Sequence, residues 1–467
     1  MPRTKIICTI GPSSESKEVI KGLINTGMNV ARINFSHGTH DENLGKIENV
    51  RTVSKDLNKH IAILADLCGP KIRIGKVKNV VILKPGQDFI LTNENILGTE
   101  ERVSVSYFNL PSEVKGHDRI MLADGLIELL VKKTSKTDIF CEVITGGVLS
   151  SNKGINLPTG TIETNAITEK DKKDLLFVLS HGVDYIALSF VRQADDILKL
   201  KKMIEDEGKS TPVIAKIEKH EALVHIDDIM NVSDGIMVAR GDLGVEIPLE
   251  NVPNIQKMLI TKANSYGKPV IVATQMLRSM VNSPRPTRAE ATDVANSVLD
   301  GADALMLSEE TSTGEYPIEA VKYMARIAES AEKNFPYDKY IKDIARKDIS
   351  ESVAYAACVL ANHLETSAIL ATTKSGVTAI HISRYRPRSR IVALSPDSTT
   401  VRRLSLLWGC EPCLVEKPDD TDDMIDKTVQ SALKNGVVSK DDIVVITAGQ
   451  PVWYKGITNM LRVKKIR

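Results

Sequence analysis

Eight short apolar runs, each followed by a segment of helical pattern, constrain the fold of this chain more than any other feature. The runs are continuous stretches of Val, Ile, Leu, Ala and Met, which are typical of strands buried on both faces of a parallel sheet. Eight such strands interleaved with helices indicate a (β/α)8 barrel. The runs are Lys5–Ile10, Asn29–Phe35, Ile61–Leu67, Tyr185–Val191, Val213–Glu218, Gly235–Ala239, Pro269–Gln275 and Ala304–Ser308.

The spacing of the runs breaks once, between the third and the fourth. Residues 70–155 are rich in β-branched residues and turn signals, as in KVKNVVILKPGQDFILTN, which indicates antiparallel strands and hairpins. From about residue 345 the alternation of strand and helix restarts, as in SAILATTKSG and SRIVALSP. We therefore predict an α/β protein with a TIM barrel at residues 1–69 and 158–345, an inserted β domain at 70–157 and a C-terminal α/β domain at 346–467.

Composition excludes several classes of partner. With 61 Lys and Arg against 60 Asp and Glu, the chain has no global field to hold a nucleic acid or an acidic membrane surface. No apolar run approaches the roughly 18 residues that a membrane span needs. The six cysteines are sparse, and the C-x-x-C of Cys410 and Cys413 lacks a second pair for zinc. These features predict a cytoplasmic protein without a disulfide framework.

Nearly every apolar run ends in a polar or charged residue. In a barrel of this type the working residues lie at the C-terminal ends of the strands, whereas the strand interiors fill the core. A ring of polar groups on otherwise apolar strands therefore predicts a functional site at one end of the barrel. Its members are Arg32, Asn34, Ser36, Asp66, Ser189, Lys216, Glu218, Arg240, Gly241, Asp242, Thr274, Gln275, Ser308 and Glu309.

Two of these residues, Lys216 and Glu218, are two apart on one strand, so both side chains leave the same face. Glu218 with Asp242 from the next strand would supply two oxygen ligands for Mg²⁺. Lys216 and Arg32 would then provide fixed positive charge for a phosphoryl group. A structural Lys–Glu ion pair also explains Lys216 and Glu218 by themselves, but the segment ARGDLG one strand later favours the metal site. Its Gly241 permits close approach of a ligand carboxylate to backbone N–H groups.

Several segments, in this order over nearly the whole chain, resemble the pyruvate kinase family. The resemblance implies a (β/α)8 barrel with a small β-barrel domain inserted after the third strand and a C-terminal α/β domain. It also implies transfer of the phosphoryl group of phosphoenolpyruvate to ADP, giving ATP and pyruvate, the last step of glycolysis. The segments are CTIGPSS, ARINFSHG, DLCGPKIRIG, LADG, KGINLP, TEKDKKDL, AKIEKHE, DGIMVARGDLGVEIP, ATQML, PRPTRAEATDVANSVLDGADALMLSEET, TKSG and RYRPRSRIVALS.

The resemblance assigns roles to individual residues. Glu218 and Asp242 match the Mg²⁺ ligands, with Mn²⁺ as a substitute, and a second Mg²⁺ would arrive with the nucleotide. Lys216 matches the lysine that stabilises the transferring phosphoryl group and the developing enolate, and Arg32 would grip the phosphate. The substrate carboxylate would be held by the N–H groups of Gly241 and Asp242 and the hydroxyl of Thr274. The nucleotide would be met by Asn34, His37, Arg73 and Lys153.

Pyruvate formation also requires a proton at the methylene carbon, and Thr274 with Ser308 stands at the rim expected for a water relay. Which group is the acid stays open. Closure of the inserted domain would exclude water from the reaction. Asp124, in LADG, is the candidate residue of that domain that reaches the site, although an ordinary hairpin-turn Asp before Gly explains it equally well.

Lys71 marks a departure from the potassium-dependent members of the family. Those members usually carry Glu at this position, and Thr, Lys and Thr at the positions of Leu67, Cys68 and Ile74. The pattern here resembles the potassium-independent subgroup. Physical chemistry supports this interpretation, since an ammonium can supply the positive charge that K⁺ would bring. We predict activity without K⁺. The alternative is that Lys71 points to solvent and that K⁺ binds at the family's site, which comprises Asn34, Ser36, Asp66 and the Leu67 carbonyl.

Some features stay open at this level. Glu309 stands where the family commonly has Gly, without an explanation. The loop Thr372–Gly376 matches a site for a phosphorylated effector, but GQPVWYKGITN does not reproduce the sugar-bisphosphate pattern, so the effector is undefined. A homotetramer is implied by the family alone.

Two rival functions explain less of the sequence. Another Mg²⁺-dependent barrel acting on enolates, such as an aldolase of oxoacids, would not explain the inserted domain, Arg73 or Lys153. A catalytically inactive metabolite sensor would have no need of Lys216.

Overall fold

The computed structural model describes residues 2–158, 160, 165–342, 348–450 and 457–467. The predicted boundary between residues 345 and 346 and most of GQPVWYKGITN lie outside this part of the chain.

The first elements are three buried strands and two helices whose N-caps, Ser16 and Thr39, accept hydrogen bonds from backbone N–H groups of the first turn. They are β1 (Lys5–Thr9), α1 (Lys17–Thr26), β2 (Met28–Asn34), α2 (His40–Asp56) and β3 (Ala62–Asp66).

The inserted domain follows β3 and has its own apolar core. Its elements are β4 (Val81–Leu83), β5 (Asp88–Thr92), β6 (Arg102–Ser104), α3 (Leu110–Glu113), β7 (Arg119–Leu122), β8 (Ile127–Thr134), β9 (Asp138–Thr145), β10 (Gly147–Leu149) and β11 (Ile155–Asn156).

Six of these strands form one sheet in the order β11-β7-β8-β9-β5-β6, and β10 pairs with β4. The pairing in the large sheet is antiparallel except between β5 and β6, which run parallel. Arg73 bridges Gly154 next to β11, and Ile74 bridges Val105 next to β6. This short segment therefore joins the two outer strands, as expected of a small β barrel.

The chain then returns to the barrel through five more strands and their helices. Single-turn 3-10 helices occur at Leu249–Asn251 and Arg278–Val281. The other elements are α4 (Glu169–Ser180), β12 (Tyr185–Leu188), α5 (Ala194–Asp206), β13 (Val213–Ile217), α6 (His220–Val224), α7 (Ile226–Val232), β14 (Gly235–Ala239), α8 (Arg240–Glu246), α9 (Val252–Tyr266), β15 (Val270–Ala273), α10 (Arg288–Leu299), β16 (Ala304–Leu307), α11 (Glu309–Ser312) and α12 (Pro317–Glu332).

Eight parallel strands close into a barrel in the order β1-β16-β15-β14-β13-β12-β3-β2. Each lies within one of the eight predicted runs or overlaps it, so the predicted barrel is confirmed. Two strands, β12 and β15, end three and two residues earlier than predicted, where the backbone turns to positive φ. Phe190 has φ 55°, and Thr274 and Gln275 have φ 71° and 54°. These residues therefore leave the sheet at the end where the site was expected.

The C-terminal part is a five-stranded sheet in the order β19-β18-β17-β20-β21, parallel except for the antiparallel edge strand β21. This arrangement confirms the predicted α/β domain. Its elements, with the helix that precedes them, are α13 (Tyr337–Lys342), α14 (Ile349–His363), β17 (Ala368–Thr372), α15 (Val377–Ser383), β18 (Arg390–Ser395), α16 (Ser398–Leu404), β19 (Cys410–Leu414), α17 (Thr421–Lys434), β20 (Ile443–Ala448) and β21 (Met460–Lys465).

The C-terminal domain packs against the N-terminal ends of the barrel strands. Lys5 at the start of β1 donates to the Cys410 carbonyl at 2.7 Å, and Tyr185 at the start of β12 donates to the Arg403 carbonyl at 2.8 Å. The opposite end of the barrel is left to the inserted domain. In the described part of the chain, no helix has both the length and the apolar character needed to cross a bilayer.

Candidate active site

The centre of the site is Lys216, which projects from the end of β13. Its Nζ lies 2.7 Å from Ser189 Oγ, 2.9 Å from Glu218 Oε1 and 3.2 Å from Asp66 Oδ1. Asp66, at the end of β3, is itself paired through Oδ2 with Arg32 at 2.7 Å. Arg32 also donates to Thr9 Oγ1 at 3.0 Å. The structure thus brings two cations and two buried carboxylates from the ends of three strands, β2, β3 and β13, into one network.

The charges in this network are fixed by their neighbours. Burial alone would lower the pKa of Lys216, but Asp66 and Glu218 raise that pKa above its usual value. Burial opposes ionisation of Asp66, yet Lys216 and Arg32 lower its pKa below the ordinary range. Lys216 and Asp66 are therefore both charged near neutral pH. A protonated lysine 12% exposed at the barrel mouth is suited to stabilising an anion.

Glu218 and Asp242 form an acidic pair suited to a divalent cation. Glu218 is 2% exposed, and its Oε2 accepts a hydrogen bond from the Phe190 N–H at 2.8 Å. Burial raises the pKa of Glu218, Lys216 opposes that rise, and the nearby Asp242 charge adds to it. Two carboxylates that repel each other in a partly dry site are typical of oxygen ligands for Mg²⁺. The residues present therefore fit the predicted metal.

Gly241 and Thr274 are joined by a hydrogen bond between the ends of β14 and β15. The Gly241 N–H donates to Thr274 Oγ1 at 2.8 Å, and that hydroxyl donates to the Ala273 carbonyl at 2.6 Å. Thr274 has φ 71°, which is strained for a β-branched residue. Arg240 holds this turn, since its Nη2 donates to the Thr274 carbonyl at 2.8 Å. The strained backbone conformation of Thr274 is thus stabilised by the neighbouring Arg240 side chain.

Lys71 points into the site. Its Nζ lies 3.4 Å from Asp242 Oδ1, and both side chains are 25% exposed. A Cβ built on Gly154 would lie 3.1 Å from Lys71 Cε and 4.0 Å from Asp124 Oδ1, so the aliphatic part of Lys71 crosses Gly154 beside Asp124. The alternative that Lys71 simply extends into solvent does not describe this arrangement.

The residues predicted to meet the nucleotide lie around the mouth. An antiparallel β-bridge pairs Arg73 with Gly154 and so brings Arg73 close to Lys153, the residue before Gly154. The Lys153 side chain is exposed. Arg73 Nη1 donates to the Asn152 carbonyl at 3.0 Å. His37 is exposed three residues after Asn34, at the end of β2.

The four residues of the family's K⁺ site also lie together, at the ends of β2 and β3, where Asn34 and Asp66 are paired in register. Three of the four residues, Asn34, Asp66 and Leu67, already use an oxygen in a contact within the protein. Asn34 Oδ1 accepts from the Ser36 N–H at 3.1 Å, and the Leu67 carbonyl accepts from Ser189 Oγ at 2.7 Å. The Asp66 carboxylate is bound by Arg32 and Lys216.

Ser308 ends β16 at the rim, and its N–H donates to Glu310 Oε2 at 2.7 Å. The structure gives Glu309 a partner, because its carboxylate forms an ion pair with Arg278. Both side chains are at least half exposed, so this pair is a surface contact beside the site.

Sequence reasoning missed some supporting residues. Ser189 and Arg240 were recognised as strand ends without a role, and Thr9 was not singled out. Ser189 joins Lys216 to the Leu67 carbonyl, Arg240 fixes Thr274, and Thr9 orients Arg32. The signal was present for all three, since Thr9 and Ser189 are polar residues among the last three positions of their apolar runs and Arg240 directly follows its run.

Comparison with known proteins agrees with this geometry. Residues 1–321 match the family model described as pyruvate kinase, barrel domain, and residues 351–464 match pyruvate kinase, alpha/beta domain. A pyruvate kinase of Clostridium acetobutylicum is 44% identical over 472 residues, covering 100% of both chains. Pyruvate kinases of Staphylococcus epidermidis and Staphylococcus aureus are 45% and 46% identical over 469 residues, covering 99% of this chain and 80% of theirs.

A closed parallel barrel with cations and carboxylates gathered at the carboxyl ends of its strands defines a TIM-barrel enzyme, here of the phosphotransferase class. The chain belongs to the pyruvate kinase family.

Proposed function

We propose that the chain transfers the phosphoryl group of phosphoenolpyruvate to ADP and so forms ATP and pyruvate. The observation that carries this proposal is Lys216, kept protonated by Asp66 and Glu218 at the mouth of the barrel. Phosphoryl transfer is catalysed mainly by positioning and by cations on the phosphoryl oxygens. Lys216 and Arg32 supply those cations from β13 and β2, and Lys216 also stabilises the enolate as the phosphoryl group leaves.

Glu218 and Asp242 would hold Mg²⁺, or Mn²⁺ in its place. When bound, the ion neutralises charge on the substrate oxygens. The Gly241 and Asp242 N–H groups and the Thr274 hydroxyl would hold the substrate carboxylate. The carboxylate would replace the bond from the Gly241 N–H to Thr274 Oγ1 and the bond from this hydroxyl to the Ala273 carbonyl. Thr274 and Ser308 would carry the water relay that protonates the enol at its methylene carbon.

The inserted domain would bring the nucleotide to the phosphoryl group. Arg73 and Lys153 would meet the nucleotide phosphates, with Asn34 and His37 nearby. Asp124, which lies beside Lys71 over the barrel mouth, would reach the site from the same domain. Closure of the domain would exclude water and so limit hydrolysis of phosphoenolpyruvate.

We further propose that K⁺ is not required, because Lys71 places an ammonium beside Asp242 and because Asn34, Asp66 and Leu67 of the family's K⁺ site already use an oxygen in contacts within the protein. A cytoplasmic location is supported by the six free cysteines, five of them buried, which suit a reducing compartment. A homotetramer is proposed from the family, and light scattering after gel filtration tests it.

The decisive experiment is a coupled assay of pyruvate formation from phosphoenolpyruvate, ADP and Mg²⁺. We expect turnover, and a Lys216→Met variant should lose roughly 10³-fold in kcat while still binding Mn²⁺ in a spin-resonance titration. Lys202→Met, which removes an exposed lysine from helix α5, is the control and should keep the wild-type rate.

No pyruvate above background from the wild-type chain would refute the proposed function and favour an inactive sensor or another enolate enzyme. An unchanged rate in Lys216→Met would refute the role of Lys216.

A further inference from the structure

Helix α8 presents one face to the inserted domain. Lys71 contacts Asp242 near the start of this helix. A Cβ built on Gly125, in the turn after β7, would lie 3.5 Å from Val245 Cγ2. Asn156 of β11 donates from Nδ2 to Glu246 Oε1 at 3.1 Å. Positions 242, 245 and 246 lie on one side of a helix because residues three and four apart are neighbours. The helix that carries a proposed metal ligand is thus also a docking surface.

The bond between Asn156 and Glu246 is a built joint. Asn156 is 4% exposed and Glu246 is 3% exposed. On the barrel side, Lys219 Nζ lies 2.6 Å from Glu246 Oε1 and His220 Nδ1 lies 3.3 Å from Oε2. Lys219 and His220 thus bind both carboxylate oxygens of Glu246 from the barrel side. Glu246 is fixed to the barrel, and Asn156 belongs to the inserted domain.

We propose that Asn156 and Glu246 form a latch that holds the inserted domain over the barrel mouth. A buried hydrogen bond to a carboxylate is stronger than one between neutral groups, and separating it requires water to reach both partners. The latched position is therefore a distinct state. Release of Asn156 would let Lys71 move away from Asp242, together with the rest of the inserted domain. Asn156 and Glu246 act as positioning residues, since neither is placed on the substrate.

The test is an exchange of donor and acceptor. Asn156→Asp keeps the shape of the side chain but turns the donor into a carboxylate that faces Glu246. We expect a higher KM for ADP and a lower kcat, together a roughly ten- to hundredfold loss in kcat/KM. The double variant Asn156→Asp with Glu246→Gln restores one donor, one acceptor and one negative charge, and should recover most of the loss. Asn95→Asp adds the same charge at an exposed position of the inserted domain and serves as the control.

Two results would overturn the latch: wild-type kinetics in Asn156→Asp, or a double variant no better than the single one. A merely structural role would lower the melting temperature and leave the KM for ADP unchanged at temperatures well below melting. Should Asn156→Asp fail to fold, Asn156→Ala removes the donor without adding charge and is read in the same way.

The inference rests on the proposed function, so wild-type turnover is measured first. An inactive wild-type chain contradicts the function, whereas an active wild-type chain with unaltered variants contradicts the latch. Hydrogen exchange at residues 153–157 tests the latch without turnover: faster exchange in Asn156→Asp supports it, and unchanged exchange contradicts it.

Discussion

At the scale of single residues, Lys71 shows how one substitution changes the electrostatics of the site. The ammonium lies 3.4 Å from Asp242 and is positioned by the backbone at Gly154, which leaves room for the side chain to cross. Glu at this position would place a third carboxylate beside Glu218 and Asp242 and would need a cation to balance it. We propose that the Lys71 ammonium supplies the charge that a bound K⁺ would bring.

Activity should therefore persist when K⁺ is replaced by tetramethylammonium. In Lys71→Glu, by contrast, we expect activity in tetramethylammonium to fall at least tenfold, which corresponds to about 1.4 kcal/mol of lost stabilisation. Addition of K⁺ should partly recover this activity. Lys71→Met separates loss of the ammonium from gain of a carboxylate and should not respond to K⁺. Strict dependence of the wild-type chain on K⁺ would contradict the role given to Lys71.

At the scale of elements, the turn after β15 depends on the helix that follows β14. Arg240, the first residue of α8, donates to the carbonyls of Ala273 and Thr274 and forms an ion pair with Asp293 at 2.7 Å. Thr274 has positive φ, and its hydroxyl is held both by the Ala273 carbonyl at the end of β15 and by the Gly241 N–H of α8. The position of the proposed carboxylate site is thus set between two neighbouring strands.

Arg240→Met should raise the KM for phosphoenolpyruvate roughly tenfold, because loss of one or two buried hydrogen bonds is worth about that factor. The KM for ADP should change little. Asp293→Asn is the matched control, since it weakens the ion pair but leaves the arginine to hold both carbonyls. Equal effects of the two variants on the KM for phosphoenolpyruvate would show that Arg240 acts only through Asp293.

At the scale of the whole molecule, a buried arginine ties the C-terminal domain to the barrel. Arg386 is 1% exposed and reaches both oxygens of Asp303, at 3.1 and 2.8 Å, just before β16. It also donates to the Gly301 carbonyl at 2.9 Å and to Asn264 Oδ1 at 2.7 Å. This end of the barrel is therefore held by paired, buried charges, whereas the active end faces the inserted domain.

Arg386→Met should destabilise the protein by about 3–5 kcal/mol, because it leaves Asp303 buried without its partner. The expected observation is a lower midpoint in chemical denaturation. Arg388→Met, two residues away, breaks an ion pair of which both side chains are more than half exposed and should cost less than about 1 kcal/mol. If Arg386→Met and Arg388→Met had the same denaturation midpoint, the buried ion pair would contribute no more to stability than the exposed one.

We also propose domain limits at residues 69/70, 157/158 and 345/346, which limited proteolysis can test because boundaries fall where few contacts cross.

The sequence by itself determined the architecture and most members of the site. The eight apolar runs predicted the barrel, because strands buried on both faces must be apolar throughout. The polar residues at the ends of nearly all runs predicted the residues gathered at its mouth. Lys216 and Glu218 were found because spacing of two on a strand places both on one face.

Only the tertiary structure decided the partners of each residue. The pairing of Asp66 with both Arg32 and Lys216, the direction of Lys71, the support of Thr274 by Arg240 and the contact of Asn156 with Glu246 join positions far apart in the chain. Local patterns fix which way a side chain leaves its own strand or helix. They do not fix which distant side chain it meets, since that depends on barrel closure and on how the inserted domain packs against α8.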